Sequence, residues 1–226
     1  MTLAEVAPLM QQAMVAAEDT RFYEHHGVDA KGVARAFVAN QSSGETAQGA
    51  STLTMQYVRL AIEYSATSPQ DVVDATSNTP GRKIREMRYA LALEKQLTKQ
   101  QILERYLNLA PFGGGAFGIY AASQVFFGKL PKDLTLGEAS LIAGLVQAPS
   151  DYNPLTPEGL KQAKERRNSY VLLESPYGFT VPRIGSSLTV SLRNWASSKG
   201  SLSFTSGLCL EECLIEALPQ AGRERA

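Results

Sequence analysis

Cysteine is almost missing from this sequence: Cys209 and Cys213 are the only two in 226 residues. They stand one helical turn apart, and two residues are too few for a structural zinc site. They do not report a redox compartment. An excess of either charge is missing too, since 22 basic residues face 22 acidic ones. The chain as a whole therefore gives no electrostatic reason to expect nucleic acid or an acidic membrane surface as a partner; any attraction to anions must be local. Long apolar runs are also lacking. Stretches such as Ala139 to Val146 fall well short of the roughly 20 residues that a membrane span needs. No secretory signal is recognisable at Met1.

What is present is a chain with 44% apolar residues, long enough for one well-filled core and short for two substantial domains. Helical periodicity dominates it. Val33, Ala36, Phe37 and Asn40 follow a candidate cap at Asp29, while Ile84, Met87 and Leu91, with Ala90, Leu93 and Leu97, follow Pro80; both patterns predict amphipathic helices. Thr98 with Gln101 and Thr135 with Glu138 have capping-box spacing, and Thr156-Pro157 offers a cap with proline at the first helical position. Few segments alternate with period two before residue 175, so the fold class expected is mainly α.

Three stretches break the pattern. From Tyr64 to Gly81 the sequence is polar and rich in helix breakers, which predicts a long mobile connection of the kind that forms lids. Pro111-Phe112-Gly113-Gly114-Gly115 lets backbone approach closely but lacks the strand and helix context of a nucleotide-binding loop. From Glu174 the composition shifts to Ser, Gly and scattered apolar residues. The predicted division is thus a helical domain over residues 1–173 and an irregular, weakly packed tail over 174–226.

Three clusters have the residue types for chemistry. Glu18 and Asp19 end an apolar helical pattern just before Phe22, His25 and His26; a carboxylate at such an edge can be partly desolvated and serve as a general base, or be an ordinary acidic turn. Arg82, Lys83 and Glu86 share one face at a helix start, which suits a diphosphate as well as it suits a surface ion-pair ladder. Gly49 to Gln56 brings Ser51, Thr52, Thr54 and Gln56 into a helix start. Those hydroxyls and the amide can bind sugar or phosphate oxygens, or Ser51 can simply cap the helix.

The order and spacing of these clusters resemble the signature motifs of the family 51 peptidoglycan glycosyltransferases. The first motif is Glu18-Asp19-x-x-Phe22-x-x-His25-x-Gly27, the second Gly49-x-Ser51-Thr52-x-Thr54-x-Gln56, the third Arg82-Lys83-x-x-Glu86 continuing to Ala90, Leu93 and Glu94. The fourth is Lys99-x-x-Ile102-Leu103-Glu104-x-Tyr106-x-Asn108, followed by Gly113 to Gly118, and Arg166-Arg167 ahead of Val171-Leu172 partly matches a fifth. The likeness runs from about residue 5 to 173. Met55 stands where the family usually has glutamine and Leu60 where asparagine is common, while Arg59 keeps a cation at a position often lysine.

The resemblance implies a lysozyme-like, two-lobed helical domain that joins lipid II to a lipid-linked glycan strand, forming β-1,4 linkages with inversion and releasing polyprenyl diphosphate. It implies Glu18 and Glu86 as catalytic residues, and Asp19, Phe22, His25, Ser51, Thr52, Thr54, Gln56, Arg59, Arg82, Lys83 and Glu104 as substrate-binding ones. No cofactor is required by any ligand motif, though Mg or Mn bridging the diphosphate is compatible with it. The partners implied are lipid II, the growing strand, the bacterial membrane surface and other cell-wall synthesis proteins, without nucleic acid; the implied location is the extracytoplasmic face of the cytoplasmic membrane. No membrane segment precedes the domain and no serine-lysine transpeptidase motif follows it, so an isolated or truncated unit is expected. Two other readings are a lysozyme-like glycoside hydrolase or lytic enzyme, disfavoured by the cation-rich third motif, and a noncatalytic lipid II-binding module.

Overall fold

The computed structural model describes residues 1–34, 51–77 and 79–171. The expected tail from 174, both cysteines, and Ala36, Phe37 and Asn40 lie outside the described residues. Within them the chain is mainly helical. Eight helices are α1 (Pro8–Glu18), α2 (Leu53–Tyr64), α3 (Pro69–Thr76), α4 (Pro80–Leu93), α5 (Lys99–Leu109), α6 (Gly118–Phe127), α7 (Leu136–Leu145) and α8 (Pro157–Val171). Residues 30–34 are helical as well, and the Asp29 side chain caps them by accepting from the Gly32 N–H at 2.9 Å.

Local chemistry sets most of these boundaries. The expected capping boxes of Thr98 with Gln101 and Thr135 with Glu138 are both formed, and Thr156 accepts from the Gly159 N–H at 3.1 Å; each satisfies amides that a helix start leaves without partners. Gly128 ends α6 at φ 62°, a conformation that costs a residue with a Cβ more than it costs glycine. Gly113 likewise has φ 80°, and a Cβ there would lie 2.2 Å from the Pro149 carbonyl oxygen. At Gly113 the missing side chain therefore lets the backbone pack against another part of the chain.

The core is built around α7, whose residues from Glu138 to Leu145 are all buried; a helix apolar on every side belongs inside a fold. α1 and α8 pack on α7 and on each other, α6 joins it to α5, and α2 packs against α5, α4 and α3. Two apolar clusters result. The large one runs from Met10 and Met14 of α1 through Ile102 and Tyr106 of α5 to Leu141 and Ile142 of α7. The small one holds Met55, Val58 and Ala90, with Met87 and Leu93 against them. α2 sits between the two, giving Leu53 and Leu60 to the first and Met55 and Val58 to the second.

Two expectations require correction. The stretch from Tyr64 to Gly81 is not an irregular connection throughout, because α3 forms inside it. Pro69 occupies the first turn and Ser68 with Asp71 closes a capping box, so residues that read as breakers in sequence act as a helix start. In α4, Ile84 and Leu91 are exposed whereas Glu86 and Ala90 are buried. The inward face of that helix carries Met87, Ala90 and Leu93 on the small apolar cluster together with Glu86 in its ion pairs.

Candidate active site

Glu18 is the last residue of α1, with its side chain 11% exposed. One carboxylate oxygen, Oε2, accepts a hydrogen bond from Gln56 Nε2 at 3.0 Å. The other, Oε1, is buried without a hydrogen-bond partner among the described residues, and the nearest guanidinium nitrogen, Nη2 of Arg166, stands 3.7 Å away. Burial pushes this carboxyl above its ordinary range, against the opposing pull of Gln56, Arg166 and Arg59, while Asp19 adds to the rise. Desolvation thus makes the carboxylate a stronger base than one in water, and the nearby cations keep the ionised form accessible.

Asp19 points away from this chemistry. Its carboxylate accepts from the Leu53 N–H at 3.0 Å and from His25 Nε2 at 2.9 Å, placing a negative charge on the first turn of α2. Thr52, not Ser51, caps that helix: its hydroxyl accepts from the Met55 N–H at 3.2 Å and donates to the Gly27 carbonyl at 2.6 Å. Gly27 itself has φ 86°, and a Cβ there would lie 2.7 Å from the Ala90 carbonyl oxygen. The first motif, the start of α2 and the middle of α4 are locked together by these contacts.

The cation cluster lies where α4 begins. Thr79 caps the helix by accepting from the Arg82 N–H at 3.2 Å. Arg82 donates to Glu86 Oε1 and to the Ser77 carbonyl, and Lys83 donates to the Ser51 hydroxyl. Lys83 Nζ also stands 4.0 Å from Glu86 Oε2. Glu86 is 3% exposed, so this is a buried anchor for two cations and not a surface ladder. Burial lowers the Lys83 ammonium below its usual range, Glu86 opposes that, and Arg82 and Arg59 reinforce it. The charge of Arg59, on α2, is felt by both Lys83 and Glu18.

The structure therefore gathers Glu18, Gln56, Arg59, Ser51, Arg82, Lys83 and Glu86 around α2. Other expected contact residues are engaged inside the protein. Phe22 is 0% exposed, with Lys99 Nζ 4.5 Å from its ring centre, and packs in the core. Thr54 is equally buried and donates to Glu94 at 2.5 Å, and Lys99 donates to the same carboxylate at 2.7 Å. Glu104 accepts from the Leu3 N–H at 2.9 Å and so fastens the start of the chain to α5. Met55 and Leu60 are both core residues, which explains apolar side chains at those positions. In the sequence Arg166 stands only in a partial motif, and its proximity to Glu18 is not visible where 148 positions separate them. Among the described residues no three His, Cys, Asp or Glu side chains gather as metal ligands.

The transglycosylase family model matches residues 1–175. The chain belongs to the transglycosylase family. Penicillin-binding protein 1A of Escherichia coli (strain K12) is 46% identical over 167 residues, covering 74% of this chain and 18% of that protein. Penicillin-binding protein 1A of Haemophilus influenzae is 45% identical over 166 residues, with coverage of 74% and 18%. Penicillin-binding protein 2D of Bacillus subtilis (strain 168) is 42% identical over 170 residues, covering 75% of this chain and 23% of the relative. The chain thus spans about a fifth of the length of these relatives.

Proposed function

We propose that this transglycosylase domain polymerises lipid II, transferring a lipid-linked glycan strand to the acceptor sugar with inversion and release of polyprenyl diphosphate. The observation that carries the reading is the asymmetry of Glu18. Gln56 holds one oxygen while the other, buried, has no hydrogen-bond donor among the described residues, which supports a base lone pair kept for an acceptor hydroxyl. That hydroxyl gives its proton to Glu18 as its oxygen bonds to the donor anomeric carbon. The bond from that carbon to the diphosphate oxygen breaks, and the diphosphate leaves with the electron pair. Lys83, Arg82 and Arg59 meet the negative charge that grows on it, while buried Glu86 holds the first two in place.

A divalent ion at the diphosphate has less support. Glu86, the carboxylate in the cation cluster, is already engaged by Arg82 and Lys83, and no carboxylate cage accompanies it among the described residues. Action at the extracytoplasmic membrane surface is part of the same proposal. Exposed Val72 and Val73 on α3 and Ile84, Tyr89 and Leu91 on α4 support it as apolar side chains that suit a lipid interface; no described helix is long and apolar enough to cross a membrane.

The deciding experiment incubates the purified chain with labelled lipid II in detergent or vesicles and resolves the products by gel. Glycan ladders that disappear in Glu18→Gln support the reading. Release of soluble fragments from preformed cell wall would replace it with hydrolysis, and binding of lipid II without polymer would leave a noncatalytic module.

A further inference from the structure

The Glu18 carboxylate receives one hydrogen bond from the described protein, and the group that supplies it is itself held from behind. Gln56 Nε2 donates to Glu18 Oε2 at 3.0 Å, and Gln56 Oε1 accepts from the Tyr106 hydroxyl at 2.8 Å. The three residues come from α1, α2 and α5. Tyr106 is 0% exposed and Gln56 9%, so water does not compete readily for either end of the amide.

We propose that Tyr106 and Gln56 form a positioning relay that fixes the Glu18 carboxylate in its ionised form and leaves its second oxygen for the acceptor. The proposal rests on the reading of Glu18 as the base. An amide is a donor at one end and an acceptor at the other, and its two orientations have similar shape. Turned over, Gln56 would set its carbonyl against the carboxylate and leave the Tyr106 proton facing an NH2 group. The acceptor-only carboxylate therefore selects the orientation that donates to it, and the Tyr106 hydroxyl, by donating to the amide oxygen, holds that orientation from the other end. Burial holds the Tyr106 phenol well above its ordinary range, with Glu18 adding to that rise and Arg59 opposing it; the hydroxyl stays a donor throughout the working pH range.

The charged groups around Glu18 do not replace this relay. Arg166 from α8 and Arg59 from α2 favour the carboxylate and Asp19 disfavours it. Arg166 at 3.7 Å is beyond hydrogen-bond distance of Oε1. Fixing the direction of the carboxylate falls to Gln56, and fixing Gln56 falls to Tyr106. Filling the core does not require the hydroxyl, because phenylalanine has nearly the same volume.

The test compares the full chain with Tyr106→Phe and Gln56→Met, using glutamate labelled with carbon-13 at the side-chain carboxyl and following Glu18 by NMR across pH. Its titration midpoint is expected to rise by about half to one pH unit in Tyr106→Phe and at least as much in Gln56→Met. The acidic limb of kcat/KM for lipid II should move the same way, with KM little changed. On the Gln56→Met background, Tyr106→Phe should add little, since the hydroxyl acts through the amide. A midpoint that stays in place in Tyr106→Phe overturns the proposal. So does an equal loss of rate at every pH, which marks a purely structural tyrosine. Polymerisation that survives in Glu18→Gln would instead remove the base assignment, and the NMR midpoint would still decide whether the relay sets the ionisation of Glu18.

Discussion

The carboxylate of Asp19 accepts from the backbone N–H of Leu53 at 3.0 Å, so the residue next to the candidate base is tied to the first turn of the helix that carries Gln56 and Arg59. The neighbouring acids of the first motif have opposite duties. Glu18 keeps an oxygen without a hydrogen-bond donor among the described residues, while Asp19 is consumed by Leu53 and His25. Asp19→Ala leaves both donors buried, with an expected cost of about 2–4 kcal/mol. Chemical denaturation measures it, and a variant as stable as the parent contradicts the anchoring role.

Glu18→Gln should divide stability from activity. Burial raises the folded-state value of Glu18 above the ordinary glutamate range, so the folded chain keeps this proton to higher pH than the unfolded chain does. Its contribution to stability is complete at acid pH and is lost as pH rises through the folded value. Removing the titration should make Glu18→Gln more stable than the parent at neutral pH, with the difference closing in acid. Polymerisation should fall by about two to four orders of magnitude. Thermal midpoints across pH, read beside the gel assay, check both; a variant less stable at neutral pH than in acid, relative to the parent, reverses the sign.

Glu86→Gln should fail in another way. Its buried carboxylate holds Arg82 and Lys83, so its loss loosens both cations before any reaction begins. Binding of a phosphoglycolipid donor mimic is expected to weaken roughly 10- to 100-fold, whereas Glu18→Gln should bind it nearly as the parent does. Calorimetry on folded variants separates the two, and equal binding losses would erase the distinction of roles.

The helix found inside the 64–81 stretch should open more readily than the core. Among the residues of α3 only Ala75 is buried, while Val72 and Val73 are exposed. Amide exchange should be slow in α7 and orders of magnitude faster in α3. Ser68→Ala, which removes its cap, should cost about 0.5–2 kcal/mol locally and leave the global midpoint nearly unmoved. Protection of α3 equal to that of α7 would show that it belongs to the rigid core.

Much of the helical architecture was legible because caps and periodicity are local. Thr98 with Gln101, Thr135 with Glu138 and the largely apolar run of α7 specify helices through contacts within a few residues. The candidate base and the cation cluster were legible too, as ordered motifs. Their division of labour was not. Phe22, Thr54 and Glu104 read as contact residues in the motifs but are engaged inside the protein, because a motif records which positions matter without recording which way a side chain faces.

What the sequence by itself determined is therefore the run of helices, the family and the chemical inventory: a carboxylate, an amide and a set of cations in a given order. Only the tertiary structure decided that Arg166 meets Glu18 from the far end of the chain, that Tyr106 backs Gln56, and that Glu86 is buried between two cations. The reason is physical. Capping and periodicity act over one or two turns, whereas desolvation and the direction of a hydrogen bond depend on which distant helices close around a group, and no spacing along the chain encodes that enclosure.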